Sequence, residues 1–204
     1  MTERIINVES ILKEQGFRNI ELLSQGANGY VYQANNKIVK VGKRATNYSR
    51  NSSRREYGIM KNLYNRGVNF IPRVYKYFEP HGIPMYSMNM VGKQSLYEWF
   101  GTKPSLKSIE SVYKTLVGYI YILRRFGINH GDLHPGNIRI GPGLKVTLID
   151  FGRVRHANNK IIGTRPHTVA VCKGWACTLM YNNSGATNNM NAVTKIFRQM
   201  YSPS

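Results

Sequence analysis

Two aspartates are the residues of this sequence whose placement points most clearly to chemistry. The 204 residues contain only Asp132 and Asp150, the first closing a His-Gly-Asp triplet and the second opening an Asp-Phe-Gly triplet. A chain that uses almost no aspartate elsewhere, yet has one in each of these motifs, is expected to use both. Carboxylates accept protons and bind hard metal ions such as Mg²⁺, so either kind of role is open for each aspartate.

The charge of the chain is strongly basic. It has 29 Lys and Arg against 10 Asp and Glu, a formal net charge of +19. Between Lys37 and Lys76 there are eleven basic residues and one acid, Glu56, and from Phe151 to Ser204 there are seven basic residues and no acid. Because such faces attract polyanions without a specific site, nucleic acid or another polyanion is a candidate partner.

Length and composition indicate a globular protein. With 42% hydrophobic residues, 204 positions can bury a core as one domain or as two small lobes. Cys172 and Cys177 are too few for a disulfide framework or a zinc site, so reduced packing residues of an intracellular protein are expected. The N-terminus lacks the apolar block of a signal peptide, and 116–123 is too short to span a bilayer. We expect a soluble protein with no membrane partner. The sequence is compatible with the nucleus, the cytoplasm and a virion.

The first ninety residues have a pattern typical of a small sheet with one long helix. Apolar residues at helical spacing predict an N-terminal helix that ends at Gly16. Asn35-Asn36 tolerates positive φ and suits a two-residue hairpin turn. Ser53 and Glu56 have the spacing of a capping box and predict the start of a second helix, which Gly67 ends. The predicted strands are 20–24, 30–34, 37–41, 74–78 and 85–91.

After Gly92 the pattern becomes mainly helical. A short helix is predicted at 96–100 and a long one at about 105–125, whose apolar residues keep the spacing of a buried stripe. A Gly-Pro-Gly turn joins two short strands, 138–140 and 145–149. Further helices are expected at 168–181 and 191–200. These elements predict one α+β domain over 1–204, with a sheet lobe at 1–91 and a reduced helical lobe at 92–204.

The motifs occur along these elements in the order of a protein kinase. They are a glycine-containing loop at 24–31, Lys40 on a strand, Glu56 on a helix, His-Gly-Asp-Leu-His-Pro-Gly-Asn at 130–137, and Asp-Phe-Gly at 150–152. Over about residues 18–155 the chain resembles the protein-kinase-like superfamily. Its size and His-Gly-Asp form are similar to the minimal members: RIO-type kinases, the small kinase of the tRNA-modifying KEOPS complex, and kinases of large DNA viruses. The resemblance implies a two-lobed α+β fold, with a small antiparallel-sheet N-lobe and a reduced, mainly helical C-lobe.

The resemblance also implies an ATP site in the sheet lobe. Glycines between two strands let the backbone approach phosphates that a Cβ would obstruct, although Ser24 replaces the first glycine of the family. Lys40 would hold the α- and β-phosphates while paired with Glu56, although a capping box alone would also explain Glu56. Residues 88–91 are similar to the linker that binds adenine. The expected nucleotide-binding residues are Ser24, Gly26, Gly29, Val31, Lys40, Met88 and Met90.

The helical lobe would supply the catalytic loop. By resemblance, Asp132 would accept or orient the proton of the attacking hydroxyl, and Asn137 and Asp150 would hold the Mg²⁺ ions that bridge the phosphates. Turn formation alone would also account for Asp132 and Asn137. Gly131 replaces the arginine that senses activation-loop phosphorylation in regulated kinases, which implies constitutive activity. His130 is expected to brace the loop rather than to act as a base.

These features predict an ATP- and Mg²⁺-dependent serine/threonine protein kinase with a protein substrate. Two alternatives stay open. His134 is also similar to aminoglycoside- and choline-type kinases, although a chain with no acid after Asp150 would bind a cationic small molecule poorly. A basic nucleic-acid-binding protein could use the same scaffold without catalysis. The motif residues argue against such an inactive scaffold, since all four are present: Lys40, Asp132, Asn137 and Asp150.

Overall fold

The computed structural model describes residues 7–26, 29–43 and 46–156. The chain divides into a first unit that ends at Met90 and a second unit that begins at Val91. The helices predicted at 168–181 and 191–200, together with Cys172 and Cys177, lie outside the described residues.

The first unit is a five-stranded antiparallel sheet with two helices. In chain order the elements are α1 (Val8–Glu14), β1 (Glu21–Gln25), β2 (Gly29–Ala34), β3 (Lys37–Gly42), α2 (Asn47–Asn65), β4 (Val74–Phe78) and β5 (Met85–Asn89). The sheet order is β1-β2-β3-β5-β4, so β1 and β4 are its edges. The five strands predicted from the sequence are all present, with small shifts at their ends.

The hairpin between β2 and β3 has the turn that its sequence predicts. Asn35 and Asn36 have φ values of 49° and 57°, the left-handed conformation that both central residues of a type I′ turn require. Asn35 Oδ1 also accepts a hydrogen bond from the Arg18 backbone N–H at 2.8 Å. This contact ties the segment between α1 and β1 to the hairpin.

One face of the sheet is covered by α1. Leu12 packs in a buried cluster that includes Val39 and Val41 of β3 and Met85 of β5. Because side chains alternate along a strand, Lys40 lies on the opposite face, towards α2. The sheet therefore has an apolar face against α1 and a face with a buried ion pair against α2.

The second helix begins earlier than the sequence predicted. Its N-cap is Thr46, whose hydroxyl accepts a hydrogen bond from the Ser49 N–H at 3.1 Å, and Ser53 lies within the helix. The capping box predicted at Ser53 and Glu56 is therefore wrong. The Asn- and Ser-rich segment before Ser53 is helical because Thr46 satisfies a first-turn donor and later turns are anchored by packing. Glu56 is left without a role in capping.

The second unit combines two helices with short strands. In chain order its elements are β6 (Gln94–Ser95), α3 (Leu96–Gly101), α4 (Leu106–Arg125), β7 (Ile128–Asn129), β8 (Ile138–Gly141), β9 (Lys145–Leu148) and β10 (Arg155–His156). β6, β8 and β9 form a three-stranded antiparallel sheet, and β7 pairs with β10. The helices predicted at 96–100 and at about 105–125 and the hairpin of 138–149 are confirmed, whereas β6, β7 and β10 were not predicted because two residues carry no periodicity.

The long helix α4 buries the stripe that its spacing predicts. Its N-cap is Ser105, and two arginines lie in its last turn, where positive charge is favourable with the helix dipole. Neither α4 nor any other helix of the described chain has the length and apolarity needed to cross a membrane. The buried residues of the stripe are Ile109, Val112, Leu116, Ile120 and Leu123.

We expect Leu12→Ala to destabilise the first unit by about 2–5 kcal/mol, because it leaves a cavity between α1 and the sheet. Leu12 is 0% exposed, whereas Leu23 on β1 is 47% exposed. Urea denaturation monitored by far-ultraviolet circular dichroism measures the free energy of unfolding of Leu12→Ala and of a control variant, Leu23→Ala. Leu23→Ala is the matched control and should change stability by less than about 0.5 kcal/mol. Equal losses in the two variants would contradict the packing of α1 on the sheet.

Candidate active site

The first unit contains a lysine–glutamate ion pair on the α2 face of its sheet. Lys40 Nζ of β3 donates a hydrogen bond to Glu56 Oε1 of α2 at 2.8 Å. The glutamate side chain is 8% exposed and the lysine side chain 23%. Because both charges are largely withdrawn from water, removal of either partner would leave the other charge poorly solvated. The pairing of Lys40 with Glu56 that the resemblance implies is present.

The glycines of the predicted phosphate loop have different surroundings. A Cβ at Gly29 would overlap the Val41 carbonyl oxygen, so the pairing of β2 with β3 itself requires glycine there. The Gly26 N–H donates a hydrogen bond to the Gly29 carbonyl oxygen at 2.9 Å, which closes the turn between β1 and β2. The two residues between this turn's ends, Ala27 and Asn28, lie outside the described residues. Phosphate binding by this loop stays a prediction.

Four further residues were predicted to bind the nucleotide. Three of them lie on strands, and the fourth lies just after the end of β5. Ser24 of β1 is opposite Val31 of β2. Met88 is buried in β5 between Ile38 and its β4 partner, whereas Met90 follows β5 and is exposed. The structure brings Ser24 and Val31 together by strand pairing. The role of these four residues in nucleotide binding is still a prediction.

In the second unit, Asn137 is tied to the loop of the first aspartate. Its Nδ2 donates a hydrogen bond to the Asp132 backbone carbonyl at 2.9 Å, and its side chain is buried. This bond fixes which way the amide points, so that its oxygen is directed away from that carbonyl. His134 caps the turn between them, because its Nδ1 accepts a hydrogen bond from the Gly136 N–H at 3.1 Å. The presence of a histidine at position 134 is therefore explained by this local hydrogen bond.

Asp150 emerges beside Asn137 because of the pairing of β8 with β9. Ile138 is opposite Leu148, and the Ile149 N–H donates to the Asn137 carbonyl oxygen at 2.9 Å. Asn137 precedes the first strand of this hairpin and Asp150 follows the second, so both leave it at the same end. Asp150 has a φ of 65°, an uncommon conformation for a residue other than glycine.

This end of the hairpin has ligands that suit Mg²⁺. A carboxylate and an amide oxygen are hard donors, and Mg²⁺ is commonly held by one or two such groups together with substrate phosphates. In the described ranges, no group of three or more His, Cys, Asp or Glu side chains is placed to bind a metal. Asn137 and Asp150 therefore fit a metal that depends on its substrate for the rest of its ligands, not a structural metal site.

His130 connects the two aspartate motifs. Its Nε2 is 3.0 Å from the Ile149 carbonyl oxygen, immediately before Asp150, and its ring is 4.7 Å from the Phe151 ring between centroids. Burial lowers the pKa of His130 from 6.5 to about 4, so the ring is neutral at pH 7 and donates from Nε2. Its Nδ1 is buried with no hydrogen-bond partner among the described residues, as suits the unprotonated nitrogen. The prediction that His130 braces the loop is confirmed.

Gly131 allows the chain after Asp-Phe-Gly to pass close to the first motif. Its φ is 76°, and a Cβ there would overlap the Arg153 carbonyl oxygen. The Arg153 side chain places Nε 3.7 Å from Asp132 Oδ2. Sequence reasoning missed this neighbour of Asp132. The available signal was its position as the first basic residue after the Asp-Phe-Gly triplet.

Comparison with known proteins gives a consistent result. A family model described as the RIO domain matches residues 18–162, well over half of the chain. A fowlpox virus (strain NVSL) protein named probable serine/threonine-protein kinase FPV226 is 25% identical over 155 residues, which cover 67% of this chain and 52% of the viral protein. Human mitogen-activated protein kinase 13 is 38% identical over 52 residues, 26% of this chain and 14% of that kinase. The chain thus spans about half the length, or less, of the curated relatives it matches.

We expect His130→Gln to remove part of the acid sensitivity of the fold. The unfolded chain binds the imidazole proton near pH 6.5 and the folded chain only near 4, so the stability that depends on the neutral ring is present above about pH 6.5 and is lost towards pH 4. Between pH 7 and pH 5 this contribution is about 2 kcal/mol. Urea denaturation at both pH values measures it. Leu23→Ala is the control, because it changes an exposed side chain that does not titrate and should retain the acid sensitivity of the parent. An unchanged pH dependence in His130→Gln would contradict the assignment.

We expect Gly131→Ala to lower the melting temperature more than Gly143→Ala does. Both glycines have positive φ, so alanine costs about 1–2 kcal/mol of backbone strain at either position. At Gly143 an added Cβ meets nothing within 4 Å, whereas at Gly131 it meets the Arg153 backbone. Thermal denaturation of the two variants isolates the effect of this overlap. Equal melting temperatures would mean that the close approach of Arg153 does not exist in solution.

Proposed function

The chain belongs to the RIO domain family, which is protein-kinase-like, and on that premise we propose that it catalyses ATP- and Mg²⁺-dependent phosphoryl transfer to serine or threonine hydroxyls of a protein. The single observation that carries this proposal is the ion pair of Lys40 and Glu56 at 2.8 Å. The pair fixes an ammonium group on the α2 face of the sheet. Phosphoryl transfer relies on fixed cations to hold and neutralise phosphate oxygens.

Glu56 has no competing structural explanation in capping. The helix begins at Asn47, two turns before Glu56, and its N-cap is Thr46. A nearly buried carboxylate in the middle of a helix is costly unless it has a partner. The position of Glu56 is therefore best explained by its pairing with Lys40. The position of Lys40 is in turn best explained by the phosphates that it would hold.

In the second unit, Asp132 would take up the proton of the acceptor hydroxyl. As that oxygen attacks the γ-phosphorus, the bond from this phosphorus to the bridging oxygen of ATP breaks, ADP leaves, and the phosphoryl group remains on the acceptor. Asn137 and Asp150 would hold Mg²⁺, which when bound neutralises charge on the phosphates. The hydrogen bond from Asn137 to the Asp132 carbonyl links the position of the proton acceptor to a metal ligand.

Two observations favour a protein acceptor over a cationic small molecule. The fowlpox virus relative is named as a probable serine/threonine-protein kinase. Apart from the two motif aspartates, the acids described in the second unit are already engaged, since Glu98 is in the capping box with Ser95 and Glu110 is 2.6 Å from Lys114. An aminoglycoside, which carries several amines, would find few carboxylates to bind in the described part of this unit.

Constitutive activity is part of the proposal. The arginine that reads an activation-loop phosphate in regulated kinases has no counterpart at Gly131, and the backbone there leaves no space for a side chain. Activity would then depend on Lys40, Asp132 and their partners being in place, without a phosphorylation event.

Transfer of ³²P from γ-labelled ATP with Mg²⁺ tests the proposal. We expect the parent chain to label serine or threonine of casein, of a basic protein or of itself, and phosphoamino-acid analysis identifies the acceptor. Asp132→Asn and Asp150→Asn keep the size of the side chains and should lower the rate at least about 100-fold, because each removes a charge that the reaction uses. Glu110→Gln is the matched control, since it removes a carboxylate of α4 that is paired only with Lys114 in the described chain.

The same assay separates the alternatives. Label that appears only on choline or an aminoglycoside would overturn the protein acceptor while retaining phosphoryl transfer. An absence of label together with no thermal shift on addition of Mg²⁺ and ATP would overturn phosphoryl transfer itself. Equal rates in the parent and in Asp150→Asn would show that the label comes from a contaminating kinase.

A further inference from the structure

A second surface of the first unit contains chemistry that phosphoryl transfer does not use. Three tyrosines and three cations alternate along the chain on β3, on α2, on the edge strand β4 and directly before β4, and we refer to them as the tyrosine–cation surface. Its members are Lys37, Tyr57, Lys61, Tyr64, Arg73 and Tyr75.

Ring and backbone contacts link these six residues to one another. Lys37 Nζ is 5.1 Å from the Tyr75 ring centroid, and Arg73 Cζ is 5.6 Å from the same centroid and 5.8 Å from that of Tyr64. On α2, Lys61 Nζ is 5.5 Å from the ring centroid of Tyr57. The Tyr57 hydroxyl donates to the Tyr75 carbonyl oxygen at 3.4 Å, which connects the helix to the strand.

The cations of this surface are not neutralised by carboxylates. Within the described residues, none of the three cations has an acidic side chain within ion-pair distance. The nearby acids are already engaged, since Glu56 pairs with Lys40 and Glu79 with Arg54 at 2.8 Å. Tyr75 thus has two positive groups over one ring without a counterion. The attraction of each cation to the ring offsets part of the repulsion between the two cations. A bound anion would offset the remaining repulsion.

Because the surface contains tyrosines as well as cations, single-stranded nucleic acid suits it better than other anionic ligands do. Tyr75 is 41% exposed even with two cations over its ring. It lies where the β4–β5 register shifts between Val74 and Lys76, and such a bulge turns a side chain out of the regular ladder. Proteins that bind single strands combine cations along the backbone with aromatic rings on which bases stack. An acidic protein would use the cations but gain little from the rings, and the bases of a duplex are already stacked.

We propose that the tyrosine–cation surface binds single-stranded nucleic acid, with Lys37, Lys61 and Arg73 turning from the rings to phosphates and Tyr75 stacking on a base. The net charge of +19 adds long-range attraction to this local contact. This surface shares no residue with the proposed catalytic machinery. Binding and phosphoryl transfer can therefore be tested independently.

Fluorescence anisotropy with labelled 20-nucleotide single strands of RNA and DNA and the full chain tests the proposal. Lys37→Gln/Arg73→Gln should raise Kd roughly tenfold and lower the slope of log Kd against log salt by about 1.4, the value for two lost phosphate contacts on a single strand. Tyr75→Ala should raise Kd at least about fivefold, whereas Tyr75→Phe, which keeps the ring, should bind like the parent.

Lys107→Gln/Lys145→Gln is the matched control, since it removes the same charge from exposed positions of the second unit. If this control weakens binding as much as Lys37→Gln/Arg73→Gln does, the attraction is general and the proposed surface is wrong. Equal affinity for a duplex of the same length, or equal competition by poly-glutamate at matched charge, would overturn the single strand as the ligand. Melting temperatures of all variants identify loss of binding through unfolding, and Tyr75→Phe keeps the test valid if Tyr75→Ala unfolds.

Discussion

The second unit depends on one hydrogen bond from a neutral, buried imidazole. His130 reaches from the first aspartate motif to the Ile149 carbonyl, and so joins two loops through residues that are nineteen apart in sequence. Its burial lowers the pKa of the ring and keeps it neutral, and a neutral ring can be packed against Phe151 without a counterion. The loops that carry Asp132 and Asp150 are therefore held together by an uncharged side chain, the His130 imidazole.

The first unit uses the opposite arrangement, a charged pair held between two elements. Lys40 and Glu56 join β3 to α2 on one face of the sheet, while α1 packs on the other face through an apolar cluster. The apolar face can position the strands without any polar partner. The ion-paired face is specific because each charge requires the other, which makes the register between helix and strand sensitive to a single substitution.

Local signals predicted most of the fold, and long-range contacts account for what they missed. The Asn35-Asn36 turn could be predicted because its φ values follow from residue type. The start of α2 could not, because a polar segment is helical there only through the cap at Thr46 and through packing further along. The pairing of Lys40 with Glu56 could be predicted only through the resemblance to protein kinases, since a capping box would also have explained Glu56. The approach of Arg153 to Asp132 depends on the path of a turn, which residue types alone do not specify.

The backbone at Gly131 has a consequence for how this protein could change over evolutionary time. A kinase gains control by phosphorylation when an arginine enters the catalytic loop, and here any side chain at that position meets the Arg153 carbonyl. A single codon change therefore cannot supply such a sensor, since the segment after Asp-Phe-Gly would have to be rerouted as well. A descendant of this chain with such a sensor would need two coupled changes at this loop, not one.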